Sequence, residues 1–115
     1  MKELKRMDRD EVVALVEALE AEVNNGGFDQ FFFNSPGDRT AETIAALEAI
    51  GAVKMARIVR NAAALFPGGM PPKERTNRQK LLERISAGPI EFHELDNQFY
   101  QYPEDLVELL GKYRG

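Results

Sequence analysis

Apolar residues recur along this chain at helical spacing. Val12, Leu15, Val16, Leu19 and Val23 fall at i, i+3, i+4, i+7 and i+11, the stripe by which an amphipathic helix meets a core. Asp8 stands where an N-cap belongs, and Glu11 three residues on completes a pair like a capping box. Asn24-Asn25-Gly26-Gly27 then predicts a stop, because Gly and Asn accept the left-handed backbone a helix end needs. Directly behind it, four of the seven phenylalanines lie within six residues. Phe28, Phe31 and Phe32 at i, i+3 and i+4 predict a short second helix with one aromatic face, a natural centre for the core.

Asn34-Ser35-Pro36-Gly37-Asp38 reads as a turn, and a third helix follows from about Asp38 or Thr40 to Ile50. Ile44, Leu47 and Ile50 face inward there, and Gly51 ends it. The spacing of Met55, Ile58, Val59, Ala62, Leu65 and Phe66 predicts a fourth helix from Ala52 to Phe66, with Lys54, Arg57 and Arg60 on its far side. Pro67-Gly68-Gly69-Met70-Pro71-Pro72 forbids helix or central strand and predicts the longest loop. A fifth helix is expected from about Arg78 to Ser86 through Leu81, Leu82 and Ile85, closed by Gly88-Pro89. Phe92, Leu95 and Phe99 mark another helical piece. Pro103 suits a first helical position, with Glu104 and Asp105 in the first turn and Leu106, Leu109, Leu110 and Tyr113 as the buried stripe. With no alternating strand pattern and no repeat, the prediction is all-α, one compact domain over residues 1–115 with six or seven helices.

Composition narrows the chemistry. The 115 residues suffice for one core, and 43% apolar with 30% charged residues is ordinary for a folded soluble domain. Without cysteine there is no disulfide framework, thiolate metal site or cysteine nucleophile. No apolar run approaches the ~20 residues needed to cross a bilayer, and the charged Met1–Asp8 start lacks a signal peptide's apolar stretch. The expectation is a cytoplasmic protein without membrane contact.

The net charge of −4 hides an uneven distribution: residues 1–51 carry −6, residues 52–88 carry +6 and residues 89–115 carry −4. A basic middle between acidic ends is most simply internal complementarity between neighbouring helices; either sign is otherwise a partner surface. Direct nucleic-acid contact through Lys54, Arg57 and Arg60 is not favoured, since three exposed bases are common on any helix.

Catalytic signatures are missing. His93 is the only histidine, and although Glu94 and Asp96 stand close enough in sequence for an acid–base pair, a half-exposed surface histidine is the simpler reading. No spacing supports a carboxylate metal site from Asp29, Glu94 and Asp96, and there is no zinc motif, nucleotide fingerprint or nucleophile elbow. A non-enzymatic protein without cofactor or metal is expected. The polar residues among the aromatics, Asn24, Asn25, Asp29, Gln30 and Asn34 in one stretch and Asp96, Asn97 and Gln98 in the other, read as helix caps and ties. A ligand-binding or enzymatic pocket between Phe28–Asn34 and Leu95–Tyr100 is the alternative, and it requires a cavity with Asp29, Gln30 or Asp96 pointing inside.

The stretch Asn25-Gly26-Gly27-Phe28-Asp29-Gln30-Phe31-Phe32-Phe33-Asn34, with Ala46–Ala52, Leu65–Gly69 and Leu95-Asp96-Asn97-Gln98-Phe99-Tyr100, resembles a bacterial family of unknown function whose best-known member is a DNA-mimic protein. The resemblance runs from about Val12 to Tyr113. It implies an all-helical fold and, for the mimic, a dimer whose surface carboxylates imitate phosphates and occupy the DNA-binding face of a protein partner. On this chain the carboxylates for that role are Glu17, Glu20, Glu94, Asp96, Glu104, Asp105 and Glu108. Mimicry then requires Glu104, Asp105 and Glu108 to gather with other acids on one exposed surface, away from Lys54, Arg57 and Arg60.

Overall fold

The structure is a computed structural model that describes residues 7–87 and 91–115. Six α-helices and two short 3-10 turns make up those residues, with no strand among them. The helices are α1 (Arg9–Phe33), α2 (Thr40–Ala49), α3 (Val53–Ala63), α4 (Arg75–Ser86), α5 (Glu91–Tyr100) and α6 (Leu106–Arg114). The fold is all-α. α1 is the spine: α2, α4, α5 and α6 all pack on it, and α3 closes the core against α2 and α5.

α1 begins where Asp8 accepts the Glu11 N–H at 2.8 Å. Val12, Leu15, Val16, Leu19 and Val23 are all buried, as the stripe predicts. The predicted stop is a break rather than an end. Gly26 (φ −153°) and Gly27 (φ 73°) leave helical geometry, and the chain re-enters helix at once. Its new direction turns Phe28, Phe31 and Phe32 fully inside. Phe32 is the hub, with ring centroids 5.0–6.0 Å from those of Phe28, Phe31, Phe66 and Phe92. Phe99 meets Phe28 edge-on at 5.9 Å.

Several helix ends depart from expectation for local reasons. α3 stops at Ala63 rather than Phe66, because Leu65 and Phe66 N–H groups turn back to Ala62 and Ala63 carbonyls in a tighter last turn. That turn tucks Phe66 inside, next to Phe32. α4 starts three residues before the predicted Arg78, since Glu74 caps it by accepting from Thr76 and Asn77 N–H. α6 starts at Leu106 rather than Pro103, because Asp105 is its N-cap, accepting from Glu108 N–H at 3.1 Å. Gly51 (φ 87°) ends α2 as expected. The predicted Gly88-Pro89 closure lies outside the described residues.

Candidate partner-binding face and the motif junction

The motif residues meet at the α1 break, where two orphan helix ends must be satisfied. The incoming segment loses its last partners at Gly26, and Tyr100 on α5 donates its hydroxyl to the Val23 carbonyl at 2.8 Å. The outgoing segment begins at Phe28, whose N–H is accepted by Asp96 Oδ1 at 2.8 Å. Gly27 lies directly against that carboxylate, so a Cβ there would collide with it, and its positive φ already excludes most side chains. Gly26 is similarly pressed by Gln30.

A row of polar side chains splints the break from outside. Asn25 Nδ2 donates to Gln30 Oε1 (3.1 Å), while Gln30 Nε2 (2.8 Å) and Asn34 Nδ2 (3.0 Å) both donate to Glu22 Oε1. Burial pushes the Asp96 carboxyl above the ordinary aspartate range; the Phe28 N–H and His93 pull it back, and Asp29 adds to the rise. Burial, reinforced by Asp96, also raises the Tyr100 hydroxyl.

The second clamp was not visible in the sequence. Arg78 is completely buried, and its guanidinium donates to the carbonyls of Phe32 (2.6 Å), Asn34 (3.1 Å), Pro72 (3.0 Å) and Lys73 (3.1 Å) and to Asp38 Oδ1 (2.6 Å). It thereby closes the C-terminal end of the phenylalanine segment. Gly37 makes room, since a Cβ there would meet the Phe31 carbonyl and the Arg78 guanidinium. Asp38 is held below the usual carboxylate range by Arg75, with Arg78 assisting.

Among the described residues, the space between Phe28–Asn34 and Leu95–Tyr100 is packed. Phe28, Phe32, Phe92 and Phe99 fill it, Asp96 is committed to Phe28 and Gln30 turns outward to Glu22. Asp29 points to a different place, an open groove of about 630 Å³ between Phe33 and α4, where it accepts from Ser86 Oγ at 2.6 Å. His93 is exposed, and among the described residues no three His, Cys, Asp or Glu side chains gather as a metal site.

The candidate acids are distributed as follows. α6 lies along the first part of α1: Leu106 N–H and Glu20 Oε2 share the Tyr102 hydroxyl at 3.1 and 2.7 Å, and Arg114 reaches Glu17 at 3.4 Å. This contact brings Glu17 and Glu20 to the edge that bears Asp105 and Glu108, both exposed. Burial, then Glu20, raises the Tyr102 hydroxyl. Glu94 is exposed on α5. Glu104 is occupied: its two oxygens accept from Lys54 and Met55 N–H at 2.8 Å each, capping α3 from 50 and 49 residues away. It therefore sits beside Lys54, not among free acids.

A family described as DMP19-like protein matches residues 7–114. The chain belongs to that family. The DMP19 family is one of DNA mimics, and the match covers nearly the whole chain. No curated protein and no solved structure matches it. For this DMP19-like chain, the motif residues Asn25, Gly26, Gly27, Phe28, Gln30, Phe31, Asn34, Asp96, Phe99 and Tyr100 build and cap the α1 break. Of the polar residues read from the sequence as caps and ties, Asn25, Asp29, Gln30, Asn34 and Asp96 make such bonds, Asn24 and Asn97 make none among the described residues, and Glu22 and Arg78 lie outside that reading. Glu22 had a signal: it precedes Gly26 by one helical turn on the exposed side. Arg78 had none, being one of four bases after the loop.

Proposed function

We propose that the protein is a non-enzymatic interaction module whose acidic α1–α6 edge occupies the DNA-binding face of a partner protein. The observation that carries this reading is the DMP19-like match over residues 7–114, which includes the edge as well as the motif. Carboxylates on rigid helices present fixed charges to a groove built for phosphates, and they steer association from a distance. Glu17, Asp105 and Glu108 are exposed, Glu17 within 3.4 Å of Arg114; Glu20 lies behind them through Tyr102, and Glu94 is exposed on α5. Glu104, whose two oxygens cap α3, is not among the acids free to meet a partner. No direct contact with nucleic acid or membrane belongs to this reading. Among the described residues no helix is long and apolar enough to cross a membrane. The setting is the cytoplasm, and a homodimer would double the acidic array.

The test is capture from a lysate of the source organism on immobilised protein, with elution by duplex DNA. A DNA-binding protein released by duplex, and not retained by the Glu17→Gln/Glu94→Gln/Glu108→Gln variant, supports mimicry. Retention unaffected by either the duplex or the triple variant would overturn it. Sedimentation of the free protein reads the dimer separately.

A further inference from the structure

The basic middle of the chain is only half neutralised, and the remainder is not scattered evenly. Arg60, Lys73, Arg75 and Arg78 pair with Glu48, Glu42 and Asp38, all on α2 or the turn before it. Internal complementarity accounts for those four. Among the described residues Lys54, Arg57, Lys80 and Arg84 make no ion pair, two on α3 and two on α4. The α4 pair borders a depression. Asn77, Lys80, Leu81 and Arg84 follow i, i+3, i+4, i+7 along one flank of α4 and, with Pro72, line a hollow of about 350 Å³.

From this flank we infer a second docking surface, opposite in charge to the acidic edge, that takes an acidic peptide segment of a partner protein with one apolar anchor residue. The chemistry of the lining argues for that occupant. Lys80 and Arg84 are exposed like charges one helical turn apart, an arrangement that repels and that a carboxylate between them relieves. The nearest acid in sequence, Glu83, lines the groove on the other flank and pairs with neither. Leu81 and Pro72 give a half-buried apolar floor, or in the case of Pro72 part of a rigid rim, with room for a leucine-sized side chain. The Asn77 amide stands at the near end to meet a peptide carbonyl.

Nucleic acid fits less well. Two cations cannot provide the several phosphate contacts on which backbone binding depends. A small inorganic anion would leave the apolar floor uncovered.

The probe is a fluorescein-labelled peptide with one leucine flanked on each side by two glutamates, titrated with the full chain at low salt and read by anisotropy. Saturable binding is expected, with amide shifts confined to residues 77–84 in a nitrogen-15 spectrum. Lys80→Gln/Arg84→Gln should weaken it at least tenfold, whereas Lys54→Gln/Arg57→Gln should leave it unchanged. Because Leu82 and Arg78, the buried residues of α4, are untouched, both variants should keep the wild-type circular dichroism. A peptide with serine for leucine should bind at least tenfold more weakly. Equal binding by the Lys80/Arg84 variant, equal binding of the serine peptide, or displacement of the peptide by duplex DNA at lower concentration would each overturn the assignment. None of these outcomes depends on the acidic edge, so failure here leaves the mimic reading untouched.

Discussion

The α1 break and the α6 edge are both held by side chains from distant parts of the chain, yet they differ in depth. At the break, Asp96, Tyr100 and Arg78 close helix ends around five phenylalanine rings that are almost fully buried. At the edge, α6 rests on α1 alone among the closer helix pairings, with Leu106 and Leu110 buried and Val107 69% exposed. Polar contacts in a dry core are costly to break, while the same contacts in water are nearly neutral. The most recognisable sequence thus belongs to the scaffold, and the surface proposed to meet a partner is the part least constrained by packing.

Substitutions can break or sharpen this contrast. The largest effect is expected for Arg78→Ala, which strands four carbonyls and Asp38; a loss of about 3–5 kcal/mol is predicted from urea unfolding. Arg78→Lys should rescue little, because a single ammonium cannot replace the planar fork. A loss below about 1 kcal/mol would mean that water fills in for the guanidinium and that the clamp is dispensable. Phe32→Ala should cost about 3–5 kcal/mol as well, since it empties the centre of four ring contacts.

At the edge, Tyr102→Phe removes one hydroxyl shared by Glu20 and Leu106 N–H, and about 1 kcal/mol is expected. Amide exchange should rise in α6 and stay unchanged in α5. Uniform exchange across both helices would erase the distinction between the two regions.

The smallest effect is expected at Asp96, and its sign is the informative part. Burial raises this carboxyl in the folded state, so folding favours its protonated form. Its contribution to stability is full below the ordinary aspartate value of about 4 and is lost as pH rises through the higher folded value. Asp96→Asn keeps an oxygen for the Phe28 N–H and carries no charge. It should match or exceed the parent near neutral pH, with the difference shrinking as pH falls towards about 4. A variant clearly weaker at neutral pH, with its deficit closing in acid, would show that the ionised carboxylate is a net gain to the fold.

Much of this was legible in the sequence because it is local. The Val12–Val23 stripe and the Phe28, Phe31, Phe32 face follow from spacing along one element and appear where expected, while the glycines expected to stop the helix break it at the same place. The two misplaced helix starts, of α4 and α6, share one cause, a carboxylate whose reach decides where a helix begins. Asp105 caps α6, and Glu74 caps α4 ahead of the first apolar residue that spacing could detect. By its position Glu104 is a first-turn acid of the final helix and a candidate surface charge; no pattern along the chain reveals that it caps α3 from 50 residues away. Arg78 was hidden for the same reason, since four of its five acceptors are backbone carbonyls and carbonyls carry no sequence signal.

Synthesis order gives these long-range caps a further meaning. Asp96, Tyr100 and Glu104 all emerge after the elements whose ends they close. A nascent chain halted before them holds α1 with its break unsplinted on one side and α3 with bare amides at its start. Both can remain only hydrated and loosely ordered until the last fifth of the chain arrives, because non-local contacts repay their closure entropy late. The stretch from Asp96 to Glu104 therefore acts as a lock on what precedes it, and those helix ends close only once that stretch has emerged.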